Sequence, residues 1–524
     1  MEARPETWPQ IVDELLPNTL FKLAAQYPDL TYSEFPCSNN VADGYNKFTF
    51  KEVANAVHEV AWWIEQNVGK PAVDDGSETL VYMGPNDLRA NGSVMLVPFE
   101  SSPVVSEVMA KRPMRRFNFP SVDHFIASTP APYTWTKSFE ANKLEPLVCL
   151  HTSGTTGFPK PIIWTHDWAN SILQATYLPT PAGYERTEIS IQGPRKRGMI
   201  LFPAMHASGI ISGIFFQLAY GSVMLYAPSR PTPIEAVDAA MEALDLLGDG
   251  EKVDFLALPP PHAQYLGTNT SVLEKACRKV QNILWAGGTI SDAAGKELSA
   301  RLQTLTPMAS TELGVWPCVH RKTRENVQTV EDEFQYVSFH PSLNMRFEPT
   351  SEDERGALYE AILVKNKGEG AWVQPLFKIF TEVEEKSLGD LFTRHAHDAA
   401  KWKYAGRSDD MLVFLDTMKF HPGFAERQIL THPGVAEALI VGTRRPKASL
   451  LVRLHEGTQM EEVAQLVEHV TKDYPFYARI ERSMILRVTE PFPKTAKGSI
   501  QKKATVDLYE KQLDILYEKD RIVT

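Results

Sequence analysis

Between Pro146 and Pro307 the chain alternates short apolar runs with longer amphipathic stretches. Leu147-Val148-Cys149-Leu150, Met199-Ile200-Leu201-Phe202, Val223-Met224-Leu225-Tyr226, Phe255-Leu256-Ala257-Leu258 and Ile283-Leu284-Trp285 read as strands. Between them, Ile210 to Leu218 reads as an apolar helix, Ile234 to Leu247 as a second, and a polar helix opens at Ser291. Pro259-Pro260-Pro261 closes one strand abruptly. Alternating βα units of this length predict parallel sheet covered by helices.

Near Gly406 the pattern changes. Leu412 to Leu415 reads as a strand, Pro422 opens a helix, and Ala438 to Val441 and Ser449 to Leu454 read as further strands. From Met460 to Thr471, Val463, Leu466, Val467 and Val470 fall on one helical face. This is the texture of a small α+β domain. The predicted fold is therefore α/β, with a large multi-subdomain amino-terminal region of parallel-rich sheets over residues 1–406. A linker follows at 407–410, then a small mobile α+β domain at 411–524. A length of 524 residues agrees, because single cores stop growing at roughly 250–300 residues.

Composition excludes more than it selects. Apolar residues at 43% and charged residues at 23% are ordinary for a globular chain. A net charge of -11 gives no electrostatic reason to expect nucleic acid or an anionic membrane surface as partner. The amino terminus shows no basic region followed by an apolar stretch, and no apolar run approaches membrane-spanning length. Cys37, Cys149, Cys277 and Cys318 are scattered without a CxxC pair, so neither a disulfide framework nor a zinc ribbon is expected. Together these features predict a cytoplasmic protein.

The richest chemistry follows the first strand. His151-Thr152-Ser153-Gly154-Thr155-Thr156-Gly157-Phe158-Pro159-Lys160-Pro161 places two glycines, four hydroxyl residues and one lysine in a single loop. Glycines let backbone N–H groups converge on an anion, hydroxyls add donors, and Lys160 adds a mobile positive charge. Pro159 and Pro161 flank the lysine and prevent an immediate helix, so this is no Walker A loop. Loose Ser/Thr/Gly clusters are ordinarily solvated turns; an ordered string directly after a strand is chemistry for a triphosphate.

Thr152 to Lys160 resembles the phosphate loop of the adenylate-forming superfamily: acyl-CoA ligases, luciferases and peptide-synthetase adenylation domains. The flanking His151 and the Phe-Pro-Lys-Pro ending most resemble the adenylation domains of fungal peptide-synthetase-like carboxylic acid reductases. Further motifs follow in the family's order. Ser310-Thr311-Glu312 resembles the second nucleotide motif, which implies Thr311 on the α-phosphate and Glu312 holding Mg²⁺. Met308 stands where the family usually stacks an aromatic on adenine. In Leu388-Gly389-Asp390-Leu391, the resemblance implies Asp390 on both ribose hydroxyls. Gly406-Arg407-Ser408-Asp409 resembles the hinge, with Arg407 on ribose or phosphate and Asp409 as the pivot of the small domain. Pro493 to Ser499 resembles the catalytic-lysine loop, implying Lys497 at the developing α-phosphate charge, with Lys494 and Lys502 as alternates.

Phe202-Pro203-Ala204-Met205-His206-Ala207-Ser208-Gly209 resembles the motif lining the acyl pocket. It contains no Asp to pair a substrate ammonium, so the acid is expected to lack an α-amino group, aromatic or otherwise. His206 would gate the pocket or contact the carboxylate, and Gly287, Gly288 and Thr289 would form a narrow floor. His395-Ala396-His397 has no third ligand spaced near it and does not read as a metal site. Two departures stand out. Only Arg89 to Ser102 (89–102) separates segments between which the family carries about one more βα unit. And Asp416 to Pro422 matches the family's thiol-acylation loop at only Lys419 and Pro422. No carrier motif and no reductase fingerprint follow Lys497.

The expected activity is ATP- and Mg²⁺-dependent conversion of a carboxylic acid to an acyl-adenylate, with pyrophosphate released. The acyl group would then pass to the phosphopantetheine thiol of a carrier domain, in cis or in trans. A stand-alone acyl-CoA ligase and a degenerate nucleotide-binding relative are the alternatives.

Overall fold

The computed structural model describes residues 7–70, 80–82, 94–98, 103–111, 113–152, 160–188, 192–194, 196–248, 250–321, 333–353, 356–416, 418–494 and 500–523. They divide into two compact units. One holds residues 1–151, 161–343 and 365–383, and the other 152–160, 344–364 and 384–524.

The first unit is organised by a seven-stranded sheet in the order Gln303–Leu305, Val280–Trp285, Val253–Leu258, Arg197–Ile200, Val223–Tyr226, Thr31–Pro36, Tyr45–Thr49. The first six run parallel and the last is antiparallel. Period-two alternation sends neighbouring residues to opposite faces. Met199, Leu225, Leu256 and Leu258 enter a core with the helices Pro233–Asp245, Pro260–Thr268, Thr270–Lys279 and Asp292–Ser299. Ile200, Met224, Phe255 and Ala257 enter the core on the other face. The helix ends follow the sequence. Thr232 and Glu235 form a reciprocal capping box, and Ser291 caps Asp292–Ser299. A smaller parallel sheet joins Leu80–Tyr82, Val94–Pro98 and Arg115–Phe119. Most of the shortened 89–102 stretch lies outside the described residues.

The expected helix at Ile210 to Leu218 is present but not uniform. Ala207–Ile210 is α-helical, Ile211–Phe215 forms a π turn, and Phe216–Tyr220 resumes the α-helix. A Cβ on Gly213 would sit 2.3 Å from the Tyr226 hydroxyl, so glycine lets the widened turn lie against that strand.

The second unit contains the antiparallel strands Met345–Asp353, Gly356–Val364, Glu385–Arg394 and Trp402–Arg407. After them, Val435–Val441 pairs antiparallel with Ser449–Leu454, which pairs parallel with Ile485–Val488. Leu439, Val441 and Leu451 face the core that takes in Tyr509 and Leu513 of the helix Lys502–Val523. Ala438, Ile440, Leu450 and Val452 face the core with Val463 and Val467 of Met460–Thr471. The strand expected at Leu412 to Leu415 is shorter, Leu412–Val413, pairing with Lys419–Phe420. The Leu415 N–H instead bonds the Arg445 carbonyl at 3.1 Å, which takes the chain out of the ladder before the Asp416 turn.

Candidate functional site

Four loops leave the carboxyl ends of adjacent parallel strands in the first unit, and open on one edge of the sheet, where ligands of such sheets bind. Arg197–Ile200 leads to Phe202 and His206, Val253–Leu258 to Pro259-Pro260-Pro261, and Val280–Trp285 to Gly287, Gly288 and Thr289. Gln303–Leu305 leads to Met308 and Ser310-Thr311-Glu312. The sequence-predicted residues of this unit are therefore brought to one edge by topology alone.

His206 caps the helix that follows it. Its Nδ1 accepts the Ser208 N–H at 3.3 Å and lies 2.8 Å from the Ser208 Oγ. Gly209 is held so close to the preceding turn that a Cβ would meet the Pro203 carbonyl oxygen at 2.1 Å. Gly287 has φ +99°, which favours glycine, and Gly287, Gly288 and Thr289 are exposed. A Cβ on Gly288 would approach Pro260 Cγ at 3.3 Å, so the diglycine and the proline run form adjoining walls.

Ala309–Ser310 and Gly314–Val315 pair as a tight antiparallel hairpin with Thr311, Glu312 and Leu313 at its tip. The Ser310 Oγ accepts the Leu313 N–H at 3.1 Å, and the Met308 carbonyl accepts the Trp316 N–H at 2.8 Å. Gly314, at φ +74°, lies where a Cβ would strike Ile172 Cδ1 at 2.3 Å. Two residues not singled out from the sequence complete the hairpin. The Trp164 indole donates to the Thr311 carbonyl at 2.8 Å, and the Trp168 indole donates to the Glu312 carbonyl at 2.9 Å. Their partners lie more than 140 residues away, so the sequence marks them only as apolar positions.

Among the described residues, no group of three or more His, Cys, Asp or Glu side chains is placed to hold a metal ion. Mg²⁺ does not need one: it keeps several waters and is commonly bound by one or two carboxylates plus substrate phosphates. Glu312, half-buried at the hairpin tip with its backbone tied down, fits that donor set.

In the second unit, Asp390 and Arg407 are register partners on neighbouring strands. Arg407 Nη1 lies 3.4 Å from Asp390 Oδ1, and its Nε lies 3.5 Å from Asp409 Oδ1. Burial pulls the Arg407 pKa down, but the Asp390 and Asp409 carboxylates outweigh it and hold it above its ordinary value. Burial, then the Asp390 carboxylate, pushes the Tyr404 phenol well up. The two alternate lysines are both engaged. Lys494 Nζ pairs with Glu437 Oε1 at 2.6 Å, and Lys502 Nζ with Asp410 Oδ1 at 3.0 Å. Lys160 begins the strand Lys160–Thr165 and is exposed. Ser153, Gly154, Thr155, Thr156, Gly157 and Lys497 lie outside the described residues, as does the Thr152 side chain.

Residues 100–333 match the family model of the AMP-binding enzymes, and residues 409–521 match that of the AMP-binding enzyme C-terminal domain. The chain belongs to the AMP-binding, adenylate-forming enzymes. This AMP-binding enzyme is 25% identical to the isocyanide synthase-NRPS hybrid crmA of Aspergillus fumigatus, over 96% of its own length and 33% of the relative's. It is also 25% identical to a carboxylic acid reductase of Neurospora crassa, over 94% of its length and 50% of the relative's. It thus spans a third to a half of the length of these two relatives. Its fold is similar to that of the anthranilate CoA ligase AuaEII, solved in complex with anthranoyl-AMP, with a TM-score of 0.66, 16% identity and coverage of 97% and 99% of the two chains. No helix among the described residues of the AMP-binding enzyme is long and apolar enough to cross a membrane.

Proposed function

We propose that this AMP-binding enzyme activates a carboxylic acid with ATP, releasing pyrophosphate, and passes the acyl group to a phosphopantetheine thiol on a carrier domain. The observation that carries the reading is the Thr311–Glu312 hairpin at the carboxyl edge of the parallel sheet, its backbone locked and its carboxylate at the tip. Glu312 would hold Mg²⁺, which when bound neutralises phosphate charge and acts as a Lewis acid. Thr311 and the hydroxyls of 152–156 would orient the phosphates. Asp390 would accept from the ribose hydroxyls and Arg407 would steady it. With Lys494 and Lys502 each held by a carboxylate, Lys497 is assigned to the charge that builds at the α-phosphate as the acid's carboxylate oxygen attacks and pyrophosphate departs. Asp409 would serve as the pivot of the small domain, whose boundaries we set at 411–524.

The acid is assigned to the class lacking an α-amino group. Pro203 to Gly209 offers no carboxylate for an ammonium, and an unpaired buried ammonium is costly. His206, Gly287, Gly288 and Thr289 would line its pocket. A carrier acceptor is favoured over CoA because the chain aligns over nearly its whole length with parts of much longer fungal relatives.

The test is ATP–pyrophosphate exchange across a panel of aromatic and aliphatic acids, followed by transfer to CoA or to a separate carrier domain. Exchange is expected with an acid lacking an α-amino group, and Lys497→Ala should reduce it about 10²–10³-fold, the usual effect of removing one transition-state donor. No exchange in the wild-type chain, or exchange unchanged in Lys497→Ala, overturns the reading. Transfer to CoA alone replaces the carrier with a free acceptor.

A further inference from the structure

We infer that Trp164 and Trp168 are positioning residues for the Mg²⁺-holding carboxylate, acting through their indole N–H groups on the two peptide planes that flank Glu312. The inference rests on the adenylation reading and adds to it how the carboxylate is aimed.

A peptide group is planar, so where the hairpin sets the path of the Cα atoms, the direction of a carbonyl sets the tilt of its plane. The Thr311 carbonyl belongs to the plane before the Glu312 Cα, and the Glu312 carbonyl to the plane after it. Each accepts one indole N–H, at 2.8 and 2.9 Å. Anchoring both planes fixes φ and ψ of Glu312, and with them the direction of its Cβ. Side-chain bonds to Glu312 would compete with a cation for the carboxylate; bonds to its backbone do not. A three-residue hairpin tip carrying a ligand has few other ways to be stiff.

The donors are themselves immobile. Trp164 lies on the strand Lys160–Thr165, and Trp168 in the first turn of the helix His166–Ala175. Both are 0% exposed, and their rings stack with centroids 3.9 Å apart and planes 11° apart. Phe215 packs against both, at 6.0 and 6.1 Å. Thr165 caps the helix between them, its Oγ1 accepting the Trp168 N–H at 3.2 Å. Packing alone would be served by phenylalanine. Two indoles whose donors reach consecutive carbonyls are explained by the hairpin they hold.

The experiment is calorimetric titration of the full chain with ATP over a series of Mg²⁺ concentrations, for wild type, Trp168→Phe, Glu312→Gln and the double variant. Losing the N–H should raise the Mg²⁺ concentration needed for half-maximal ATP affinity by about 5- to 30-fold, the factor for one to two kcal/mol. Affinity without Mg²⁺ should stay the same, and in the Glu312→Gln background Trp168→Phe should cause no further shift. If Trp168→Phe weakens binding equally with and without Mg²⁺, or adds fully to Glu312→Gln, the residue is only structural and the inference fails while the adenylation reading stands. If the wild-type chain binds no ATP at any Mg²⁺ concentration, both fail. Should Trp168→Phe not fold, β-(3-benzothienyl)alanine at position 168 keeps the bicyclic shape and removes only the donor. Trp164→Phe supplies the same measurement from the other plane.

Discussion

Glu437→Gln should destabilise the small domain by an amount the structure allows to be bounded. Glu437 is 3% exposed. Its Oε2 accepts from Arg453 Nε at 2.6 Å and from the Phe492 N–H at 3.0 Å, while its Oε1 pairs with Lys494 Nζ at 2.6 Å. A glutamine oxygen can replace Oε2, but its amide nitrogen then meets the Lys494 ammonium, donor against donor. Breaking a fully buried ion pair costs about 3–5 kcal/mol. Here Arg453 and Lys494 are 27% and 44% exposed, so water takes up part of the loss. An exposed pair contributes about 0–1 kcal/mol, and the value between these limits is roughly 2 kcal/mol. The assay is urea unfolding of the full chain, with hydrogen exchange of the Val435–Val441 amides reporting on this domain. The pH dependence gives a second check. Burial alone would raise the Glu437 pKa, but Lys494, Arg453 and the Phe492 N–H outweigh it and hold it below its ordinary value. A depressed carboxyl pKa stabilises the fold above the unfolded pKa and loses that contribution as pH falls through the folded one. The gap between wild type and Glu437→Gln should therefore close as pH drops below the ordinary carboxylate range. A gap below about 0.5 kcal/mol at neutral pH, the size of a change away from any such feature, would refute the reasoning. So would a gap that persists in strong acid.

Two more outcomes follow from close contacts and buried histidines. Gly209→Ala drives a Cβ to 2.1 Å from the Pro203 carbonyl oxygen, a backbone atom that cannot swing aside. A loss of about 3 kcal/mol or more is expected, read as a lowered unfolding midpoint; an unchanged midpoint would show that the turn yields. The first unit should weaken as pH falls from about 6.5 toward 4. Burial lowers the pKa of His166 and His340, and takes His262 down to about 4. The unfolded chain then binds protons that the folded chain refuses, so stability falls with pH by at most about 1.4 kcal/mol per unit per histidine. His340 has a specific reason to resist: its Nδ1 accepts the Ser342 N–H at 3.1 Å, and a proton there would oppose a donor. Urea midpoints of the full chain at pH 7 and pH 5, alongside His340→Gln, check this; equal midpoints for wild type would refute it.

What the sequence made legible, and what it left hidden, divide along a physical line. Strand and helix positions in the parallel sheet were readable because burial on both faces leaves continuous apolar runs such as Phe255-Leu256-Ala257-Leu258, and because caps such as Ser291 have local chemistry. The gathering of His206, Gly287 and Glu312 at one sheet edge follows from parallel order, since every strand then delivers its loop to the same side. The π turn at Ile211–Phe215 was not readable. Within it Gly213 lies close against Tyr226 of the strand Val223–Tyr226, an approach with no local signature. The same holds for the early end of the strand at Leu412–Val413, where Arg445 draws Leu415 out of the ladder.

The indole anchors show why this division matters for function. A motif announces the groups that touch a ligand, because the chemistry restricts which residue types can stand there. The groups that aim them are chosen for one donor at one distance, and in sequence they look like core. Trp164 and Trp168 are buried, aromatic and stacked, and nothing local separates them from packing residues. Only when the hairpin is folded against them do two indole donors meet consecutive carbonyls on either side of one carboxylate. For a cation held by few protein ligands, the fixed direction of a single carboxylate is a large share of what the protein contributes to the site. On the proposed reading of Glu312 as the Mg²⁺ ligand, Trp164 and Trp168 would belong to the site as much as Glu312 does.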